Sequence, residues 1–293
     1  MMKLCIAGLP VCIDSADKAF FSGRYADYVR TDDRQPVMTM RCRRLPELPH
    51  PEGEAVQQLG RTAVVRTADG RFSRFACSQA GQVLFTITYT PDYAEVDIAL
   101  LETRRHPVFS LTDWEYMYTG AMFHNRLMQL GGGVLHSSSL AWRGQGVAFS
   151  ANSGTGKSTH TGLWKQVFGD EVEIINDDKP AIWFDGEQPM LCGTPWSGKT
   201  ALNLNRQVPL RAIVFIERGE KNSIRRLDEF DAFCRLVEQI ARPYYDAALG
   251  EGAVDFARRL LSALPVYCLT CNISTEAVHT AFQAIFAQEE KPI

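Results

Sequence analysis

The sequence predicts a mixed α/β (α+β) protein: a core of mixed sheet with flanking helices over residues 112–293, after a smaller, mostly β region over residues 1–111. Three observations carry this. Between Gly146 and Phe168 an apolar run, a glycine-rich turn and an amphipathic stretch follow one another, the order of strand, loop and helix. Before residue 111, short apolar or alternating runs recur between turn signals such as Asp69-Gly70, Ala80-Gly81 and Pro91-Asp92. From Thr112 onward, stretches with apolar residues at helical spacing are interleaved with short apolar runs.

In the first region strands are expected at 3–13, 36–42, 62–66, 71–77, 82–89 and 94–101, mostly antiparallel. Residues 82–89 read as a central strand, with Val83, Phe85, Ile87 and Tyr89 on one face. One helix is expected around 16–29, and the polar, proline-containing segment 43–54 reads as a loop. His50 and His106 fall in or near turns and read as solvated.

Asp113 can cap a helix running to Leu130, with Tyr116, Met117, Ala121, Leu127 and Leu130 as inward positions and His124 as a packed or surface residue. Gly131-Gly132-Gly133 ends it. Strands follow at 134–139 and 146–150, a helix at 159–168, and strands at 173–177 and 181–184. A second glycine-containing loop occupies residues 193–199. Beyond it come a strand at 210–217, helices at 229–241 and 254–263, a strand at 266–271 and an amphipathic helix at 275–288.

Composition narrows the class. The 293 residues, 45% apolar and 22% charged, suit a globular protein with a sizeable core. A net charge of -3 gives no footprint for nucleic acid, and no run is long enough to span a bilayer. The apolar run at 4–13 is broken by Pro10 and followed by Asp14 and Asp17, so it reads as a strand rather than a leader, and the protein as cytoplasmic. The 8 cysteines are too sparse for a disulfide scaffold. Cys268 and Cys271 have C-x-x-C spacing but lie inside an apolar run, and read as buried strand cysteines.

Ala151-Asn152-Ser153-Gly154-Thr155-Gly156-Lys157-Ser158 departs from the phosphate-binding pattern G-x-x-x-x-G-K-[ST] only at its first position. Set between a strand and a helix, such a turn aims backbone N–H groups and the positive end of the helix dipole at one point. Asn152, Ser153, Gly154, Thr155, Gly156, Lys157, Ser158 and Thr159 are therefore the candidate nucleotide-binding residues. Lys157 would reach the β- and γ-phosphates, and the Ser158 hydroxyl would be a Mg²⁺ ligand.

Asp177 and Asp178 close an apolar strand roughly twenty residues beyond the lysine, where one carboxylate can hold Mg²⁺ and the other accept a proton. Adjacent side chains on a regular strand point oppositely, so that division requires the strand to end or bulge there. His136 lies just before the phosphate-loop strand, where a hairpin would set it beside the loop as a metal ligand or proton carrier. His160, on the first turn of the following helix, reads as structural. Lys199 ends the second glycine loop and is a candidate catalytic cation.

Leu135-His136-Ser137-Ser138, Gly146-Val147-Ala148-Phe149, SGTGKST and Ile175-Asn176-Asp177-Asp178, in that order, resemble the core shared by HPr kinase/phosphorylase and ATP-dependent phosphoenolpyruvate carboxykinase. The resemblance covers roughly residues 112–293. It implies a P-loop kinase core, with His136 at the metal or proton-transfer site. It also implies that Asp177 and Asp178 are metal ligand and catalytic carboxylate, in an order left open. Three departures matter: no acidic residue follows Ser158-Thr159, no extended Gly-rich Ile/Asn run is legible, and the chain is much shorter than a carboxykinase. Neither HPr protein nor oxaloacetate is therefore carried over as a substrate.

The reading that results is an ATP- and Mg²⁺-dependent phosphotransferase acting on a hydroxyl, on a serine of a protein or peptide or on a small molecule. The alternatives are a carboxykinase-like enzyme acting on a small carboxylate, with His136 holding a second divalent metal such as Mn²⁺, and a non-catalytic nucleotide-binding regulator. No nucleic-acid or membrane partner is expected, and assembly into a homo-oligomer is left open.

Overall fold

A computed structural model describes residues 1–198 and 200–286 of the chain, and these residues form two mixed sheets and six helices. Contacts divide the chain into two compact units. One is Met1–Leu130 with Arg242–Leu249; the other is Gly131–Ala241 with the described residues from Gly250 onward.

In the first unit, β1 (Met2–Ile6) and β2 (Leu9–Asp14) form a hairpin where one strand was expected. Ala7 and Gly8 both take positive φ, 51° and 78°, as a tight two-residue turn requires. α1 (Lys18–Arg24) begins at Asp17, whose side chain accepts from the Phe20 N–H. Then come β3 (Met38–Leu45), β4 (Glu54–Leu59), β5 (Thr62–Arg66), β6 (Phe72–Cys77), β7 (Val83–Tyr89), β8 (Glu95–Leu101) and α2 (Leu111–Gln129). The sheet order is β1-β2-β3-β8-β7-β6-β5-β4. β2–β3 and β3–β8 are parallel, so the sheet is mixed and less antiparallel than the turn signals suggest. β7 buries Val83, Phe85, Ile87 and Tyr89, as its alternation predicts. β4 was not legible, because all its residues are exposed and it has no buried face to impose a period of two.

α2 is capped by Ser110, not Asp113. The two form a capping box in which Asp113 supplies the reciprocal acceptor. Of the expected inward positions only Leu127 is buried, while Tyr118, Met122, Phe123, His124 and Met128 are buried in its company. Apolar residues surround most of this helix, so spacing alone does not select a face. Polar contacts do: fully buried Glu115 accepts from the Ser15 hydroxyl at 2.6 Å and the Ala16 N–H at 2.9 Å. Arg24 donates to the Tyr116 hydroxyl at 2.9 Å. These bonds fasten α2 to the first unit, so the division falls after Leu130 rather than after 111. His50 and His106 are exposed.

The second unit contains β9 (Gly133–Val134), β10 (Ser137–Trp142), β11 (Gln145–Ser150), α3 (Lys157–Phe168), β12 (Val172–Asn176), β13 (Ala181–Asp185), β14 (Gln188–Cys192) and β15 (Gln207–Arg218). β16 (Ser223–Arg226), α4 (Glu229–Gln239), α5 (Ala247–Ala263, from Gly250 in this unit), β17 (Val266–Cys271) and α6 (Thr275–Phe286) complete it. The sheet runs β12-β10-β11-β15-β14-β13-β9, with β17 paired to β15 and to β16. β10 is antiparallel to both β11 and β12, so those two run the same way and end on the same edge. β15 is parallel to β11 and ends there too. Loops after β11, β12 and β15 therefore meet at one carboxyl edge, where open α/β sheets place ligands.

Fully buried Trp164 on α3 packs with Leu140, Phe149, Val172, Ala281 and Phe286 beneath that edge. Cys268 and Cys271 are free and buried on β17, as expected of strand cysteines. The expected helix end at 287–288 lies outside the described residues. Among the described residues no helix is long and apolar enough to cross a membrane.

Candidate functional site

The hairpin β10–β11 pairs Ser137 with Ser150 and so brings residue 136 beside the start of the glycine-rich loop. Gly154 and Gly156 take φ of 78° and 125°, values that disfavour a side chain, and Gly156 is the N-cap of α3. α3 thus starts at Lys157, two residues earlier than the periodicity predicts. Its first N–H groups and positive dipole end open onto a 520 Å³ cleft lined by Lys157, Ser158 and Thr159. The Lys157 ammonium folds back and donates to the Ala151 carbonyl at 2.9 Å. Burial lowers its proton affinity, and the carboxylates of Asp178 and Asp177 act in the opposite sense.

β12 ends at Asn176, and the side chain of that residue makes the turn. Its Oδ1 accepts from the N–H of Asp178 at 2.9 Å and of Lys179 at 2.6 Å. Its Nδ2 donates to the Thr194 carbonyl at 2.8 Å, fixing the second glycine loop. The strand therefore stops before the acidic pair, meeting the condition that lets both carboxylates line one cleft with His136, Ser153 and Lys157.

The two carboxylates differ in their surroundings. Buried Asp177 accepts from the Ser138 hydroxyl and from the Thr200 hydroxyl, each at 2.7 Å, and Ser138 in turn meets the Thr161 hydroxyl at 2.7 Å. Asp178 lies 3.3 Å from His136 Nε2 and 3.7 Å from the Lys179 ammonium. Burial raises the proton affinity of Asp178. The His136 bond and the charges of Lys179, His136 and Lys157 together outweigh burial and hold it below the usual carboxylate range.

His136 sits where the chain passes from β9 to β10, in the middle of the single strand expected over 134–139. Its backbone N–H donates to the Gln239 carbonyl at 2.9 Å, and its Nδ1 lies 3.1 Å from Gln239 Oε1. His160 is structural: buried, it accepts from Trp164 Nε1 at 3.1 Å, and burial pushes its pKa down to about 4. Lys199 lies outside the described residues. Its neighbours Ser197, Gly198 and Thr200 line the cleft.

Gly193 anchors that second loop. Its N–H donates to the Arg206 carbonyl at 3.0 Å, and a Cβ there would run into the Leu204 carbonyl oxygen. Gly193→Ala is expected to destabilise the protein by at least about 1–3 kcal/mol, since backbone rather than a movable side chain is met. A thermal melt unchanged from wild type would overturn this.

On the other side of the glycine-rich loop lies a second cleft of 670 Å³ in the same unit, reached from Asn152, Ser153 and Gly154 and walled by the end of β15 and by α4. Arg218 donates to the Thr155 carbonyl at 3.2 Å and to the Gly154 carbonyl, tying β15 to the loop. Arg235 bonds Glu217 at 2.6 Å and lies over the Phe215 ring, 5.8 Å from its centroid.

No sequence signal gives a role to Ser138, Lys179, Thr200, Gln239, Arg218 or Arg235, although Ser138 lies inside the Leu135–Ser138 motif and Lys179 directly follows Asp178. Gln239 carries no local signal, since it meets His136 across 103 positions of sequence.

No protein-family model matches the chain, and no curated protein matches it in sequence. Among solved structures, the HPr(Ser) kinase/phosphatase from Coxiella burnetii aligns over 53% of this chain and 98% of its own, at 10% sequence identity and a TM-score of 0.33. A likeness at that score carries no weight for fold or function.

Proposed function

We propose that the chain is an ATP- and Mg²⁺-dependent phosphotransferase acting on a hydroxyl. The observation that supports this most is the shared 520 Å³ cleft, where the opening residues of α3, Lys157 and Ser158, face Asp177, Asp178 and His136. In this reading the phosphate chain of the donor lies along residues 152–159, on the N–H groups of the loop and the helix dipole. The site also fits Mg²⁺. Among the described residues no three His, Cys, Asp or Glu side chains form a cage, but this ion is commonly held by one or two carboxylates together with substrate phosphates and water. Ser158 and Asp177 are the residues that would hold it, because among the described residues the Asp177 carboxylate accepts from the neutral hydroxyls of Ser138 and Thr200, whereas Asp178 is engaged by His136 and Lys179. When bound, the ion supplies neutralisation of charge on the β- and γ-phosphates.

Asp178 then takes the remaining role. It is ionised at neutral pH and accepts the proton of the attacking hydroxyl. The acceptor oxygen bonds to the γ-phosphorus as the bond to the β-phosphate oxygen breaks, and that electron pair leaves with ADP. Lys157 and the start of α3 offset the charge that develops. Incubation with Mg·ATP and a panel of serine peptides and small alcohols, followed by ³¹P NMR, is expected to yield ADP and a phosphate monoester. Binding of ATP with no turnover against any acceptor or water would leave a nucleotide-binding regulator instead.

The donor's nucleoside belongs in the 670 Å³ cleft on this reading. That cleft holds Glu217 and Glu238, which repel phosphate but accept from base N–H groups, and the Arg235 guanidinium offers a planar stacking face. Stacking of a base contributes about 1–3 kcal/mol, so Arg235→Ala is expected to weaken ATP binding about five- to 150-fold. Binding of inorganic tripolyphosphate should be unaffected. Calorimetry showing equal losses for both, or none for ATP, would remove the nucleoside from this cleft.

A further inference from the structure

Gln239 lines the 670 Å³ cleft and reaches His136, which lines the other. Gln239, the last residue of α4, meets His136 Nδ1 through Oε1 at 3.1 Å, and its Nε2 donates to Asn152 Oδ1 at 3.1 Å. His136 in turn reaches Asp178 at 3.3 Å. The series Asn152–Gln239–His136–Asp178 thus joins the glycine-rich loop to the carboxylate through side chains alone. The backbone around Gln239 is fixed independently. The Gln239 carbonyl accepts from the His136 N–H at 2.9 Å, and the Ala241 N–H donates to the Val134 carbonyl at 2.8 Å. The Gln239 backbone is therefore held against the segment that carries His136, while its side chain is held by the two amide bonds.

We infer that Gln239 is a positioning residue that couples the state of the loop to the orientation of His136 against Asp178. As a statement about the transfer reaction this rests on the phosphotransferase reading. As a statement about the ring it rests on the bonds alone. An amide oxygen faces one ring nitrogen at 3.1 Å and a carboxylate oxygen faces the other at 3.3 Å, so the ring plane is set from both ends. A phosphate chain that displaces the Asn152 side chain takes away the acceptor of the Gln239 amide N–H. The amide then turns, Nδ1 loses its oxygen, and the imidazole at Asp178 changes its hydrogen bonding. Loop occupancy is in this way signalled to the proton-accepting carboxylate without movement of the main chain.

The test uses ¹⁵N-labelled full-length protein and long-range ¹H–¹⁵N correlation of the imidazoles, with the His136 signals assigned by their loss in His136→Gln. Gln239→Leu removes both bonds, whereas Gln239→Glu keeps an oxygen for Nδ1 but cannot donate to Asn152. Without nucleotide, the ring nitrogens of Gln239→Leu should shift away from wild type while those of Gln239→Glu stay close. Saturating Mg·ATP should move them in wild type but in neither variant. In ATP turnover, Gln239→Leu should lower kcat about ten- to a hundredfold with KM little changed, and Gln239→Glu should restore part of it. Identical His136 signals in wild type and Gln239→Leu without nucleotide overturn the inference. So does an ATP response that survives in the variants. If Mg·ATP fails to bind the wild type, the phosphotransferase reading falls, and the nucleotide-free spectra still decide whether Gln239 sets the ring.

Discussion

Asp178→Asn is expected to lower phosphoryl transfer by about a hundred- to ten-thousand-fold, the usual contribution of a positioned base. ATP should still bind, because the substitution removes a negative charge near the phosphates and leaves Lys157 and the loop in place. Asp177→Asn should behave differently. Its side chain is clasped by the Ser138 and Thr200 hydroxyls, and its proposed task is to hold Mg²⁺, so the variant should need more Mg²⁺ for half-maximal rate. The two can be compared first by ATP hydrolysis, with water as a slow acceptor, and then with the true acceptor. Equal phenotypes would remove the division of labour. Wild-type rates in both would reduce the pair to a turn and end the mechanism.

Lys157→Ala is expected to weaken Mg·ATP binding by about ten- to 150-fold, since hydrogen bonds to charged groups contribute about 1.5–3 kcal/mol. The fold should survive. Lys157 is buried, but its ammonium donates to the Ala151 carbonyl at 2.9 Å rather than into the core, and burial already disfavours its charge. Truncation therefore removes a desolvated cation rather than a packed core group. Calorimetry should show the loss while circular dichroism and the melting temperature remain native. Unchanged affinity in a natively folded variant would place the phosphates elsewhere.

Much of the candidate site was legible because its parts are local. A glycine-rich turn between an apolar run and an amphipathic run has few structural outcomes, and Asn176 followed by two carboxylates and Lys-Pro carries its own turn chemistry. The loop and its place between strand and helix follow from such short-range rules, while α3 begins two residues earlier and β12 ends one residue earlier than those rules place them. Strands failed to show where no face is buried, as in β4, and α2 gave no unique face because apolar residues surround it. The first unit runs on to Leu130 for a different reason: Glu115 and Tyr116 choose their neighbours through Ser15, Ala16 and Arg24, far away in the chain.

By itself, then, the sequence determined which residues are candidates for phosphate and proton chemistry, because backbone preference and charge are properties of a few adjacent residues. The tertiary structure alone decided how the two aspartates differ, since Ser138 and Thr200 reach one while His136 and Lys179 reach the other. It alone placed Gln239 between loop and histidine. Hydrogen bonds of that kind depend on which strand edges and helix ends meet in space, and a partner 103 positions away leaves no period or spacing in the chain.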